Sequence, residues 1–368
     1  MYKNSRISNY QLFTLLCGFM IGSSLIVSPA AGAKQEAWLA FLIGCIIGTI
    51  LIAMYASIYR LNPSCTLIEA LEKNFGKILG KGFAILYIWY FIHLASLVLR
   101  NFGEYSVITG YPETPILFII VSFSLIVAFS VRSGIEVMGR ISEIFLVILI
   151  VILVFVFFSL ITAYDLENLK PFMSQGIKPI IKTAFGTVTF PFGEAIAFLM
   201  VFPYVNKQEK IVKTSIFSSL FVGLVLVEVI LRNILVLGSD MASRDIFPSH
   251  IVFRLIPNLD VDPLLDVNLT VAGIIKAGIC IYAASAGIVQ LLNLDDYKPF
   301  VLPVTALVVS LSIWVFESIM EMLQWAADFW QYYSIPFQII IPCILLIISF
   351  VRHKRAGKVK NAKAARTI

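Results

Sequence analysis

Residues 180–205 read IIKTAFGTVTFPFGEAIAFLMVFPYV, an apolar run long enough to cross a bilayer with Pro191, Gly193 and Glu194 at its middle. Pro191 has no N–H to return to the carbonyl of Thr187, and in a continuous helix its ring would clash there, at roughly 3 kcal/mol. Lipid cannot satisfy the freed carbonyl, and irregular backbone at membrane depth persists only where protein or a wet cavity surrounds it. The stretch is therefore read as a broken transmembrane helix, and the break as a site. Glu194 sharpens the reading. A carboxylate near the bilayer centre costs at least about 2.5–3.5 kcal/mol, which marks function unless it merely pairs with a Lys or Arg on a neighbouring helix.

The rest of the chain agrees with a membrane setting. Of its 368 residues, 59% are hydrophobic and 14% charged, against roughly 45–50% apolar in ordinary soluble domains. Runs of transmembrane length fall at 8–32, 38–59, 83–108, 114–131, 138–162, 180–205, 215–237, 267–292, 300–322 and 333–351. These ten spans predict an all-α polytopic membrane protein with one transmembrane domain, 1–351, and a basic tail, 352–368. Cytoplasmic connections carry the excess of Lys and Arg. With the N-terminus inside, 19 of the 28 basic residues lie on the inner side and seven outside, while Arg232 and Lys276 lie within spans. Both termini are thus expected to be cytoplasmic. Lys3, Arg6 and the Ala31-Gly32-Ala33 string imitate a cleaved leader, but the run from Tyr10 to Val27 is too long and its removal worsens the charge balance, so cleavage is not expected.

Several functions are disfavoured. No nucleotide-binding loop, HExxH or GxSxG string occurs, so no catalytic residues are assigned and an enzyme is not expected. The five cysteines are scattered without a ligand spacing, so neither a metal nor another cofactor is expected. The net charge of +6 comes largely from the tail, whose seven cations suit anionic membrane lipid rather than nucleic acid and whose composition predicts disorder in solution. Residues 65–81 predict an interfacial helix with Leu67, Ile68, Leu71, Phe75, Ile78 and Leu79 on one face. The connection 238–266, with Asp240, Asp245, Asp260, Asp262 and Asp266, reads as a lid over an external entrance or as a spacer.

Span 1 is interrupted as well, at Gly22-Ser23-Ser24 and again at Pro29. Five spans separate it from span 6, so the two broken helices run in opposite directions. Interrupted helices at corresponding places in two halves are the mark of an inverted repeat with a central ligand site. The expected halves are 1–162 and 163–351, a 5+5 arrangement with helices 1 and 6 broken. The candidate ligand-binding residues are Gly22, Ser23, Ser24, Tyr90, Phe190, Pro191, Gly193 and Glu194. Tyr87, Tyr90, His93 and Leu94 share one face of span 3, where Tyr90 is the candidate gate and His93 is read as packing. Glu228 and Arg232 stand at i, i+4 in span 7 and predict an ion pair. Lys276 has no local partner at mid-span 8 and is a candidate structural or coupling cation; Glu194 is expected to face either a ligand ammonium or Lys276.

The strings ISNYQLFTLLCGFMIGSSLIVSPAA (7–31), LKPFMSQGIKPIIKTAFGTVTFPFGEAIAFLMVFPYVNKQEK (169–210) and IKAGICIYAASAGIVQLLNLDDYKP (275–299) resemble the spore permease family. These are the B subunits of the nutrient germinant receptors of endospore-forming bacteria, a branch of the amino acid-polyamine-organocation superfamily. The resemblance covers essentially the whole chain and is most specific around FPFGE; Ser28-Pro29 departs from the Leu-Pro expected there. It implies a place in the spore inner membrane, partner A and C subunits, and germination triggered by a small-molecule germinant, with an amino acid the foremost class. It also implies that helix 8 faces the break in helix 1, beside the position where sodium-coupled members hold a cation, so that Lys276 would act as a tethered cation. The alternative reading is a proton-coupled secondary transporter of amino acids or polyamines, because both functions need the same broken-helix site.

Overall fold

A computed structural model describes residues 6–25, 27–173, 175–257 and 261–364, with side chains as far as residue 355. In chain order the helices are α1 (Asn9–Ile21), α2 (Ala37–Leu61), α3 (Leu67–Phe75), α4 (Lys77–Thr109), α5 (Ile116–Ser133), α6 (Ile135–Ser159) and α7 (Ile177–Thr187). They continue with α8 (Ile211–Leu237), α9 (Ser239–Arg244), α10 (Pro248–Arg254), α11 (Asp262–Leu292) and α12 (Lys298–Trp314). The last are α13 (Ile319–Asp328), α14 (Trp330–Ile335) and α15 (Ile341–Ala364). Among the described residues the sole β element is one parallel bridge, Ile7 with Val205.

Among the described residues eight helices are long and apolar enough to cross a membrane, nine if the bent pair α12 and α13 is counted as one span. The remaining predicted span is α1, whose 13 residues are too short to cross alone; a 3-10 turn, Gly22–Ser24, continues it to the break. Isoleucines on α2 (Ile43, Ile46, Ile47, Ile50) and large apolar side chains on α6 and α15 face outward, which suits lipid contact in a multi-pass membrane protein. Inside the bundle α4 packs along α11, and α8 lies against α1 and α2. Small residues permit the close approaches. A Cβ at Gly48 of α2 would stand 2.5 Å from the Phe192 ring, and one at Gly44 would fall 1.6 Å from the Thr187 hydroxyl. Helix α2 is thereby seated directly on the helix-6 break.

Both ends of the described chain lie at one end of the bundle. The Ile7 N–H donates to the Tyr204 carbonyl at 2.9 Å and the Asn206 N–H to the Ile7 carbonyl at 3.0 Å. Phe202 packs on Tyr59 of α2, and Asn62 just beyond it donates to Ser349 of α15 at 2.8 Å.

Four sequence expectations change. The helix expected over 65–81 divides at Gly76, whose φ of +84° ends α3. Leu67, Ile68 and Leu71 are buried, but Ile78 and Leu79 belong to α4 and are exposed. The span expected over 300–322 stops at Trp314, and α13 turns away by 96°. Arg100, one of the seven cations counted on the outer side although it falls within the span 83–108, is buried within α4 and forms a 2.7 Å ion pair with Glu104. Its guanidinium also donates to the carbonyls of Ser312 and Ile313, capping α12 where the turn begins. Finally, the backbone of the tail continues α15 as helix to Ala364, which its Ala, Lys and Arg content favours. Asp260 of the external connection and residues 365–368 of the tail lie outside the described residues.

Candidate functional site at the helix breaks

Helix α7 stops at Thr187, and a π turn over Val188–Phe192 carries the chain to a 3-10 segment, Gly193–Met200. Phe190 is extended (φ −137°, ψ 113°), the conformation that a following proline imposes. Backbone groups released by the break are taken up by side chains from two other elements. Gln338, in the π turn before α15, donates from Nε2 to the Thr189 carbonyl at 3.0 Å and to the Tyr90 hydroxyl at 2.8 Å. The Tyr55 hydroxyl of α2 lies 3.1 Å from the Gly193 carbonyl and 2.7 Å from that of Gln338. Gly193 allows this closeness: a Cβ there would fall 2.1 Å from Gln338 Oε1.

On the other face of the break, Lys276 Nζ of α11 stands 2.5 Å from Glu194 Oε2, with both side chains almost wholly buried. The ammonium also lies 4.7 Å from the Phe190 ring centroid and 5.7 Å from that of Phe19. The break in the first helix completes the arrangement. A Cβ at Gly22 would come within 3.0 Å of Lys276 Cδ and 3.1 Å of its Cβ, so only glycine lets the end of α1 rest on the lysine stem. This sets the cation beside the negative end of that helix.

Above the ion pair opens a cavity of about 810 Å³. Ser23, Phe190, Glu194 and Lys276 line its inner end; Leu94, Val98 and Asn101 of α4 and Trp325 and Trp330 of α13 and α14 line its sides. Its mouth carries Lys178, Lys182, Arg244 and Asp245, three cations against one acid. Residues 243–246 of the connection 238–266 border this mouth. The pair Lys34–Asp240, at 2.8 Å, ties that connection to the segment before α2.

Ser23, Phe190, Glu194 and Lys276 of the sequence candidates are therefore assembled on one surface. Gly22, Pro191 and Gly193 shape it from behind, and the Ser24 hydroxyl turns back to the Met20 carbonyl at 3.0 Å. Tyr90 lies outside the cavity lining, stacked on Phe337 (4.8 Å between centroids) and bonded to Gln338. His93 packs edge-on against Trp325 and Tyr333, as a core histidine. Glu228 and Arg232 pair at 3.9 Å away from the cavity, with Arg232 over the Phe253 ring. Sequence reasoning missed Gln338 and Tyr55. Gln338 carried a signal, a lone buried polar residue two positions after Pro336 in an apolar run; Tyr55 carried none. Among the described residues no three His, Cys, Asp or Glu side chains cluster as metal ligands.

The sequence pattern of the spore permease family, described as spore germination protein, matches residues 6–321. Spore germination protein KB of Bacillus subtilis (strain 168) is 31% identical over 373 aligned positions, spanning 98% of this chain and 99% of that protein. Spore germination protein YndE of the same organism is 23% identical over 243 positions, 64% of this chain and 65% of its own length. Among solved structures, MhsT in complex with L-phenylalanine superposes with a TM-score of 0.68 at 14% identity, over 95% of this chain and 99% of that one. MHP1, a nucleobase-cation-symport-1 family transporter in a closed conformation with bromovinylhydantoin bound, gives 0.69 at 12% identity, over 94% and 78%. At such identities the likeness establishes a shared fold.

Proposed function

The chain belongs to the spore permease family of spore germination proteins, and on that footing we propose that it is the membrane-embedded B subunit of a nutrient germinant receptor. It takes a small germinant, of the amino-acid class, into the cavity above Glu194 and Lys276. It works in the spore inner membrane with separate A and C subunits, both termini cytoplasmic, and its halves 1–162 and 163–351 move against each other around the breaks.

The observation that carries this reading is the Glu194–Lys276 ion pair at the inner end of an open cavity. An α-amino acid bears both charges. Its carboxylate is complementary to Lys276 and its ammonium to Glu194, so binding exchanges one internal pair for two intermolecular ones. A ligand shifts a conformational equilibrium only by its differential affinity for the two states. Opening the pair supplies that difference, because contacts made by the separated charges exist in one state alone. Lys178, Lys182 and Arg244 at the mouth raise the local concentration of a carboxylate-bearing ligand.

A panel of amino acids, sugars and nucleosides, scored by thermal shift on purified protein, tests the reading. Amino-acid hits should bind at least about tenfold more weakly to Glu194→Gln and Lys276→Met, the loss of one charge-assisted bond of about 1.5–3 kcal/mol. Unchanged affinity in both folded variants would place the site elsewhere.

A proton-coupled secondary transporter is the second reading, favoured by the one-sidedness of the cavity. The opposite end is held shut by the Ile7 bonds to Tyr204 and Asn206 and by the Tyr204, Tyr282 and Tyr297 rings, as alternating access requires. Flux of each hit into protein-bearing liposomes separates the two.

A further inference from the structure

A second opening lies far from the helix breaks, at the end of the bundle that carries Ile7. There the last turns of α2 and the outer half of α15 diverge into an open groove of about 600 Å³. Leu61, Leu346, Ile347 and Phe350 form its apolar sides, and Arg60 and His353 stand at its rim. Neither rim residue has a hydrogen bond or ion pair among the described residues, and no carboxylate lines the groove.

The groove sits at a sharp change in the character of α15. Ile340, Ile344, Ile347 and Phe350 are between 42% and 62% exposed and point outward, as lipid-facing residues do. Immediately after Val351 the sequence becomes Arg352-His353-Lys354-Arg355. The rim therefore marks the level at which hydrocarbon gives way to headgroups, with the apolar sides below it. Arg352 is already engaged, donating to the Lys73 carbonyl of α3, which leaves Arg60 and His353 to face the groove. Basic pockets between transmembrane helices on the cytoplasmic side are built for anionic headgroups, and an arginine fork matches phosphate geometry.

We propose that this groove is a binding site for one anionic phospholipid, its phosphate held between Arg60 and His353 and an acyl chain lying along Leu61, Leu346, Ile347 and Phe350. The charge of the rim selects against a zwitterionic lipid, whose choline would meet two donors with no acid to receive it. The site is separate from the mobile attraction of a polybasic tail, because it is a fixed cleft between two helices.

The test uses the full-length protein in detergent, titrated with phosphatidylglycerol or phosphatidylcholine and read by native mass spectrometry. One phosphatidylglycerol should be retained in preference to phosphatidylcholine by about fivefold, the contribution of the Arg60 charge. Arg60→Gln with His353→Gln should abolish the preference. Lys358→Gln with Lys360→Gln and Lys363→Gln should preserve it, and millimolar inorganic phosphate should not displace the lipid. Equal retention of the two lipids, or a preference that survives the groove variant, would overturn the proposal. So would a preference lost with the tail charges, which assigns it to the tail, or displacement by free phosphate, which makes the site one for a soluble anion.

Discussion

Glu194→Gln preserves the shape of the side chain and leaves Lys276 as a buried cation without a counterion. Lys276 is fully buried, and its remaining attractions are the Phe190 and Phe19 rings at 4.7 and 5.7 Å and the negative end of α1. A cation–π contact contributes about 0.5–2 kcal/mol, whereas removing one partner of a buried pair costs about 3–5 kcal/mol. The rings cannot make up the difference. Lys276→Met should cost a similar amount by leaving the carboxylate stranded. The double variant, with Gln and Met at these positions, removes both charges while keeping volume, and buried pairs replaced in this way are often neutral in stability. Each single variant should therefore melt about 4–6 °C below wild type, at about 1.3 °C per kcal/mol for a chain of this length. The double should recover most of that loss. The assay is the melting temperature of the three variants in one detergent without ligand, treated as a double-mutant cycle. Wild-type melting of either single variant, or a double variant destabilised by the sum of the two, would refute the pair as an energetic unit. The double variant would also be folded and uncharged at the site, and it is expected not to bind a zwitterion.

Gly193→Ala should abolish ligand binding, because its Cβ would fall 2.1 Å from Gln338 Oε1 and 3.1 Å from the Val188 carbonyl; wild-type affinity in the folded variant would show that the break tolerates closure. Arg100→Gln uncaps the carbonyls of Ser312 and Ile313 and strands Glu104, so a loss of about 3 kcal/mol and protease sensitivity between Trp314 and Ile319 are expected. Asp240 has its carboxyl held below the usual carboxylate range, first by the hydrogen bond from Lys34, then by the charges of Lys34 and Arg244. Because the folded value is the lower one, this link is fully present above the ordinary value near 3.8 and is lost as pH falls through the lowered one. A spin label at Ser239 should accordingly stay immobile from neutral pH down to about pH 4 and loosen below it. In Lys34→Gln that acid transition should vanish, and its persistence would count against the link.

The break in helix 6 was legible because proline, glycine and a carboxylate have few other uses at membrane depth, and Lys276 because an unpaired ammonium at mid-span demands a partner. Their meeting is long-range, and it was foreseen only as one of two ways in which Glu194 would be faced. Tyr90 shows where face-matching fails. Its helical face was read correctly as inward, but the Gln338 amide and the rings of Trp330 and Phe337 keep it behind the site, and nothing in span 3 announces them. The bend after Trp314 was hidden for a different reason. Glu317, Ser318 and Glu321 already interrupt the run 300–322, and Ser318 caps α13 by accepting the Glu321 N–H. A count of apolar residues passes over this start signal, and the Arg100 bonds to the end of α12 come from some two hundred residues earlier on α4. Ile78 and Leu79 were misassigned because helical periodicity runs unbroken through Gly76, and only its positive φ moves them onto another helix.

The bridge between Ile7 and Val205 makes a mechanical connection out of two segments nearly two hundred residues apart. Below Glu194 the chain runs through the buried Gly193–Met200 segment to Tyr204, and there two backbone bonds fasten it to the residue just ahead of α1. Backbone bonds of this kind are indifferent to side-chain identity, so the fastening would survive most substitutions along it. A tilt of the lower half of helix 6 is thus delivered as a tug on the extreme N-terminal end of the first helix. The start of α1 and the lower half of the broken helix are under one backbone constraint, so that a displacement of either would carry the other with it.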